Sequence, residues 1–303
     1  MAQLNKTLCA EAFGNTGVGD CPFIPKHVVG MFIVPNDFSI EESDMEDLKT
    51  FLQDAAYADN RRERILPVHG FVGIEDNTED LVAETLGYGG IAVIREGKYD
   101  LTFRLGNGGL CLLKSLRKYN NRPVNVLLIL SGGTILGVRS GNTMKGIPVD
   151  MFYALPLTFS DGSGTTTSFR VRLVIRPEYI NDVLAFVETS ADGFIPDEIT
   201  GVMDAAVVNS NSASNSVKVK VEVGCGGSNL LEDYETEMAD ETLWVVTDPT
   251  DGSAQTVTAV NIVDGVATLV GADLPARVNL APISALKAKG VVGYEGIATT
   301  ITA

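Results

Sequence analysis

Lys98-Tyr-Asp-Leu-Thr-Phe-Arg-Leu105 alternates in polarity and places Tyr99, Leu101, Phe103 and Leu105 on one face, as a half-buried strand requires. A helix is expected directly after it. Asn107 suits the cap, Leu110, Leu113 and Leu116 recur as one apolar stripe, and Lys114, Arg117 and Lys118 set positive charge against the negative end of the helix dipole. Arg122-Pro123 ends that helix. Val124-Asn-Val-Leu-Leu-Ile-Leu130 then reads as a strand buried on both faces, and Ser131-Gly-Gly133 turns it back.

Downstream, residues 134–139 and 146–159 offer further strands, the second ending at the glycine-rich turn Asp161-Gly-Ser-Gly164. Ser168-Phe-Arg-Val-Arg-Leu-Val-Ile175 completes a long antiparallel hairpin, with Arg170 and Arg172 on one face and Phe169, Val171, Leu173 and Ile175 on the other. Residues 177–207 are mostly helical in pattern. The Ser/Asn-rich run over 208–216 reads as a linker between domains.

Beyond it, Val217-Lys-Val-Lys-Val-Glu-Val223 alternates cleanly, residues 243–247 form a strand holding the only tryptophan, and 256–260 form a third. Val263-Asp-Gly-Val266 carries a two-residue hairpin turn into 267–270, and 297–301 closes the set. Short strands separated by turn signals over 217–303 predict a small β-sandwich of immunoglobulin type, without a Cys…Trp…Cys pattern.

Upstream, residues 1–26 hold Gly14, Gly17, Gly19, Pro22 and Pro25 and read as an extended arm. His27-Val-Val-Gly-Met-Phe-Ile-Val34 is the first strand. Ser39 or Ser43 caps a helix ending near Tyr57, with Glu41, Glu42, Asp44, Glu46 and Asp47 in its first turns, and Arg61, Arg62 and Arg64 read as counter-charges to those carboxylates or to a neighbour. Residues 65–97 read as strand, acidic turn, short helical piece and strand. The domain plan is therefore an arm over 1–26, a β domain with helices over 27–207, the linker 208–216 and an acidic β domain over 217–303.

Composition narrows the function classes. With 45% hydrophobic residues the chain builds real cores, and its longest apolar run, Val124 to Leu130, is far short of the ~20 residues that cross a bilayer. Met-Ala-Gln-Leu-Asn-Lys6 lacks the apolar core of a signal peptide, so folding in a cytoplasm is expected. The net charge is −16 and uneven: residues 1–190 hold 23 acidic and 18 basic side chains, whereas 191–303 hold 16 and 5. So acidic a surface disfavours adhesion to nucleic acid or anionic membrane. Cys9, Cys21, Cys111 and Cys225 show no C-x-x-C spacing and are expected as buried thiols.

No motif supplies catalysis, a cofactor or a metal. Gly106-Asn-Gly-Gly109 sits where a phosphate turn belongs, but Cys111 occupies the position of the third glycine and Lys114-Ser115 lacks the preceding glycine of a Walker loop. His27 and His69 lie in no nucleophile motif, and the carboxylates between Glu232 and Glu241 read as a solvated loop, as does the turn Asp248-Pro-Thr-Asp-Gly252.

The opening Asn5-Lys-Thr-Leu-Cys9 with 17–25, the block 100–130 and Val291-Val-Gly-Tyr-Glu-Gly296 resemble virion structural proteins of tailed phages and prophages of gut Bacteroidota. Within them, 27–190 looks like a tail tube protein: two packed antiparallel sheets, a flanking helix and a long hairpin. The resemblance implies stacked homo-oligomeric rings, commonly hexameric, around a lumen that passes genomic DNA without binding it specifically. It also implies contacts with other virion proteins, none with membrane, and assembly in a host bacterial cytoplasm. Subunit contacts are expected at Phe23, Phe159, Phe169, Arg170 and Arg172. A capsid decoration or head- or neck-associated ring protein shares these features, and a carbohydrate-binding surface protein using Trp244 and nearby tyrosines as a stacking platform is the further alternative.

Overall fold

A computed structural model describes residues 26–106, 110–157, 169–189, 193–213, 216–224 and 227–302. The chain is mainly β and divides into two compact units, one of residues 1–56 and 62–200, the other of 57–61 and 201–303.

In the first unit, β1 (Val28–Val34) lies centrally between β3 (Leu66–His69) and β8 (Val124–Leu130), both antiparallel to it. Strands β9 (Thr134–Ser140), β10 (Thr143–Lys145) and β2 (Ser39–Ile40) extend the sheet, while β11 (Ile147–Val149) pairs with β8 and β14 (Leu184–Glu188) with β9, giving eight strands. β8 is buried along nearly its whole length, as its unbroken apolar run demands. A 3-10 turn over Ser43–Asp47 leads into α1 (Leu48–Ala56), which buries Leu48, Leu52 and Ala56; Ser39, one of the two candidate caps, lies in β2.

The chain changes sheets at Gly70, whose φ of 82° suits glycine, and continues as β4 (Phe71–Asp76). β4 pairs with β7 (Tyr99–Leu105), β7 with β13 (Phe169–Ile175), and β13 with β12 (Met151–Ala154), all antiparallel. Core side chains from both sheets form one cluster, in which Phe71 and Phe103 stack at 4.9 Å and α2 (Leu110–Arg117) adds Leu113 and Leu116 from its apolar stripe. Asn107 and the turn around 106–109 lie mostly outside the described residues. The two outer edges of the four-stranded sheet differ. Beside β12, the Asn120 side chain accepts from Ala154 N–H at 2.7 Å and donates to its carbonyl at 3.4 Å, and Asn121 N–H donates to the Phe152 carbonyl. Beside β4 no strand lies among the described residues, and Val72, the extra residue of a β-bulge, is 71% exposed.

Several expectations are corrected. The short helical piece in 65–97 is β5 (Val82–Thr85), paired with β6 (Ile91–Arg95). The helical reading of 177–207 shrinks to α3 (Pro177–Asn181), followed by β14, a 3-10 turn at Pro196–Glu198 and β15 (Met203–Asn209). The 208–216 segment separates no domains: β15 pairs antiparallel with β16 (Val217–Val223), so the Ser/Asn-rich run is a hairpin connection inside the second unit, where Ser210 N–H donates to the Lys218 carbonyl at 2.8 Å. Cys111 is disulfide-bonded where a thiol was expected; Cys9, Cys21 and Cys225 lie outside the described residues.

The second unit also packs two sheets on one core. One runs β19 (Ala259–Val263), β20 (Val266–Val270), β16, β15 and β22 (Tyr294–Ile297); the other runs β18 (Ala254–Gln255), β17 (Trp244–Thr247), β21 (Ala276–Leu280) and β23 (Thr299–Ile301). The Asp264-Gly265 turn joins β19 to β20 with both residues at positive φ, as a type I′ hairpin needs, while the strand expected over 256–260 lies three residues later. β15 and β22 pair in parallel. Tyr57–Arg61 belongs here: Asp59 accepts from Ser284 N–H at 2.9 Å in the first turn of α5 (Ile283–Ala288), and Arg61 pairs with Glu295 at 2.9 Å. Arg61 thus meets a carboxylate far along the chain.

Candidate functional site

Side chains alternate across a strand, so those of β7 and β13 that miss the core form a row on the outer face of the four-stranded sheet. The register sets Arg170 opposite Arg104, two like charges that repel unless neighbours intervene. Glu75 of β4 intervenes, accepting from Arg104 Nε at 2.8 Å and standing 3.9 Å from Arg170. Asp100 takes Arg172 through two bonds, one of them 2.7 Å from Nε, and that hydrogen bonding raises the guanidinium above its ordinary pKa. Asp150 joins Lys98 at 3.0 Å and Arg176 at 3.2 Å. Cations and carboxylates interleave, so the face is an ion-pair lattice without one strong sign.

Of the expected contact residues, the fold gathers Phe169, Arg170 and Arg172 on β13. Phe169 is half-buried against the core, so it is partly spent on its own unit. Arg172 is committed to Asp100, whereas among the described residues Arg170 holds only the long contact to Glu75, and its Nε is buried without a hydrogen-bond partner there. Phe23 and Phe159 lie outside the described residues. Sequence reasoning missed the carboxylates that thread these arginines, because Glu75, Asp100 and Asp150 are distant in the chain and meet only through strand pairing.

Elsewhere the chemistry is sparse. Among the described residues no group of three or more His, Cys, Asp or Glu is placed to hold a metal ion. A shallow depression of about 620 Å³ in the second unit is lined by Glu232, Glu235, Asp264 and Ile262 among others. Asp240 is well below the ordinary carboxylate range, at about 2, because Lys289 and then Thr242 donate to it. The Asp248 turn closes on itself, with Gly252 N–H donating to the Asp248 carbonyl at 2.8 Å and Thr250 N–H to its carboxylate at 2.7 Å. His69 Nε2 meets the Ile199 carbonyl at 2.8 Å, and His27 stands 3.5 Å from Ser131 Oγ, at the limit of a hydrogen bond. Trp244 offers no stacking platform: it is 5% exposed and donates from Nε1 to the Met238 carbonyl at 2.9 Å. No helix among the described residues is long and apolar enough to cross a membrane.

Comparison with protein families, with characterised proteins and with solved structures returns no match to this chain.

Proposed function

We propose that this chain is a structural subunit of a tailed-phage virion, the tail tube protein whose rings stack into a DNA-conducting tube. The observation that carries this reading is the construction of the first unit: two antiparallel sheets on one core, with the β12 edge satisfied from within and the β4 edge left without a strand among the described residues. An unpaired edge is a template for another chain, and repeated pairing around an axis closes it. In this reading the first unit is the tube-forming sandwich and the acidic second unit an immunoglobulin-like decoration.

The work of such a subunit is physical. Subunits align by edge pairing and by the ion-pair face around Arg170, and an acidic lumen lets DNA slide because it gives phosphates no cations to bind. Residues 1–190, with 23 acidic and 18 basic side chains, are net negative as that role needs, although the larger share of the −16 lies in 191–303. Negative-stain electron microscopy of the purified chain tests it: hollow tubes or stacked rings are expected. Small closed rings that never stack support a head or neck component instead, and isolated monomers overturn assembly altogether.

A further inference from the structure

β5 and β6 form a two-stranded ribbon that joins no other sheet among the described residues. A lone ribbon is marginal in water, but its base here continues the ladder between β4 and β7. Asn77 N–H donates to the Asp100 carbonyl at 2.8 Å, Glu79 N–H to the Lys98 carbonyl at 3.0 Å, and the Glu79 carboxylate takes Arg95 at 3.0 Å. The ribbon is therefore held out from a firm root. Beyond the root its apolar side chains face water: Ile91 is 74% exposed and Val93 58% on one face, Ile94 61% on the other, with Leu81 and Leu86 about half exposed. At the tip Tyr88 is fully exposed and adopts a φ of 68°, a left-handed conformation that bulky residues avoid. Strain is spent there on displaying an aromatic ring.

The geometry points to a second copy of this chain as the partner that covers the ribbon. These side chains together present on the order of 800 Å², the share one partner contributes to a stable protein–protein interface. The same chain also carries a fitting receptor. The β4 edge is unpaired among the described residues and shows Val72 and Ile74, 71% and 47% exposed, so both an apolar ribbon and an apolar strand edge await cover. Glu79, Asp80, Glu84 and Glu96 outnumber Arg95 and Lys98 around the ribbon, which disfavours nucleic acid and anionic lipid. Because ribbon and receptor are different surfaces, the contact is heterologous and repeats into rings or filaments. This inference rests on the assembly reading and names the surface that performs it.

A photoreactive benzoylphenylalanine at position 88 of the full chain, activated in a mixture of isotopically light and heavy protein, tests it by mass spectrometry. Cross-links pairing light with heavy chains and ending in peptides that hold residues 71–76 are expected. Ile91→Asp with Val93→Asp is expected to raise the concentration needed for assembly roughly a hundredfold, with the circular dichroism spectrum unchanged. Assembly that proceeds unaltered in this variant, or cross-links confined within single chains of an assembled sample, overturns the role of the ribbon and leaves the assembly reading standing. A wild-type chain that stays monomeric at every concentration overturns both. If that monomer floats with phosphatidylcholine vesicles, the ribbon meets lipid instead.

Discussion

Arg172 and Asp100 form a two-bonded ion pair on neighbouring strands, set diagonally because the register places Arg172 opposite Thr102 and Asp100 opposite Val174. An arginine expected from the sequence at a subunit contact is thereby an internal tie of its own sheet. The Asp100 side chain is 13% exposed and that of Arg172 43%, so solvent screens the pair only in part. Asp100→Asn and Arg172→Lys are each expected to cost about 1 kcal/mol in urea unfolding, with a coupling of similar size in the double-mutant cycle. A coupling near zero would show that the pair contributes nothing measurable.

Gly97 closes the root of the ribbon. A Cβ there would stand 1.8 Å from the Glu79 carbonyl oxygen, a backbone atom with little freedom to retreat. Gly97→Ala should therefore break the ladder bond between Glu79 and Lys98 and cost about 1–3 kcal/mol locally. Hydrogen exchange reads this directly, as faster exchange of the Glu79 amide with no change in β8. Unchanged protection at Glu79 would mean that the backbone relaxes around the methyl group.

Two glycines at positive φ separate strain from crowding in the second unit. Gly252 has open space where a Cβ would go, whereas at Gly265 it would meet Asn229 Nδ2 at 2.3 Å, the group that donates to the Gly265 carbonyl. Gly252→Ala should cost about 1 kcal/mol, the penalty for left-handed backbone, and Gly265→Ala about 1 kcal/mol or more beyond that. Equal melting temperatures for the two variants would contradict the packing at Asn229.

The Asp240–Lys289 pair makes stability depend on pH in a defined direction. The folded-state pKa of Asp240 falls from 3.8 to about 2, so its contribution is complete above about pH 4 and is lost as pH drops through about 2. Asp240→Asn should melt earlier than wild type at neutral pH, and the gap should close in strong acid. A gap of constant size across that range would remove the pair as its cause.

Strands with one buried face announced themselves by alternation. β13 and β16 alternate as their sequences do, β7 turns its apolar residues to the core but buries Asp100 and Thr102 as well, and the Asp264-Gly265 turn follows from its dipeptide. β5 escaped because every one of its residues is exposed: with neither face buried, no period of two is written into it. The Ser/Asn-rich run misled because polar composition is common to linkers and hairpin connections, and only the pairing of β15 with β16 tells them apart. The parallel pairing of β15 with β22 joins residues about ninety positions apart, and Asp59 reaches Ser284 across a still longer separation. Local pattern records neither. The ion-pair face was half legible, since Arg170 and Arg172 share a face by alternation, but their carboxylates come from β4 and β7.

Sedimentation velocity of the unmodified chain over a concentration series tests the central claim of self-assembly most directly. The account predicts that the 32.2 kDa subunit gives way with rising concentration to species many times its mass. A single 32.2 kDa species at every concentration would contradict it.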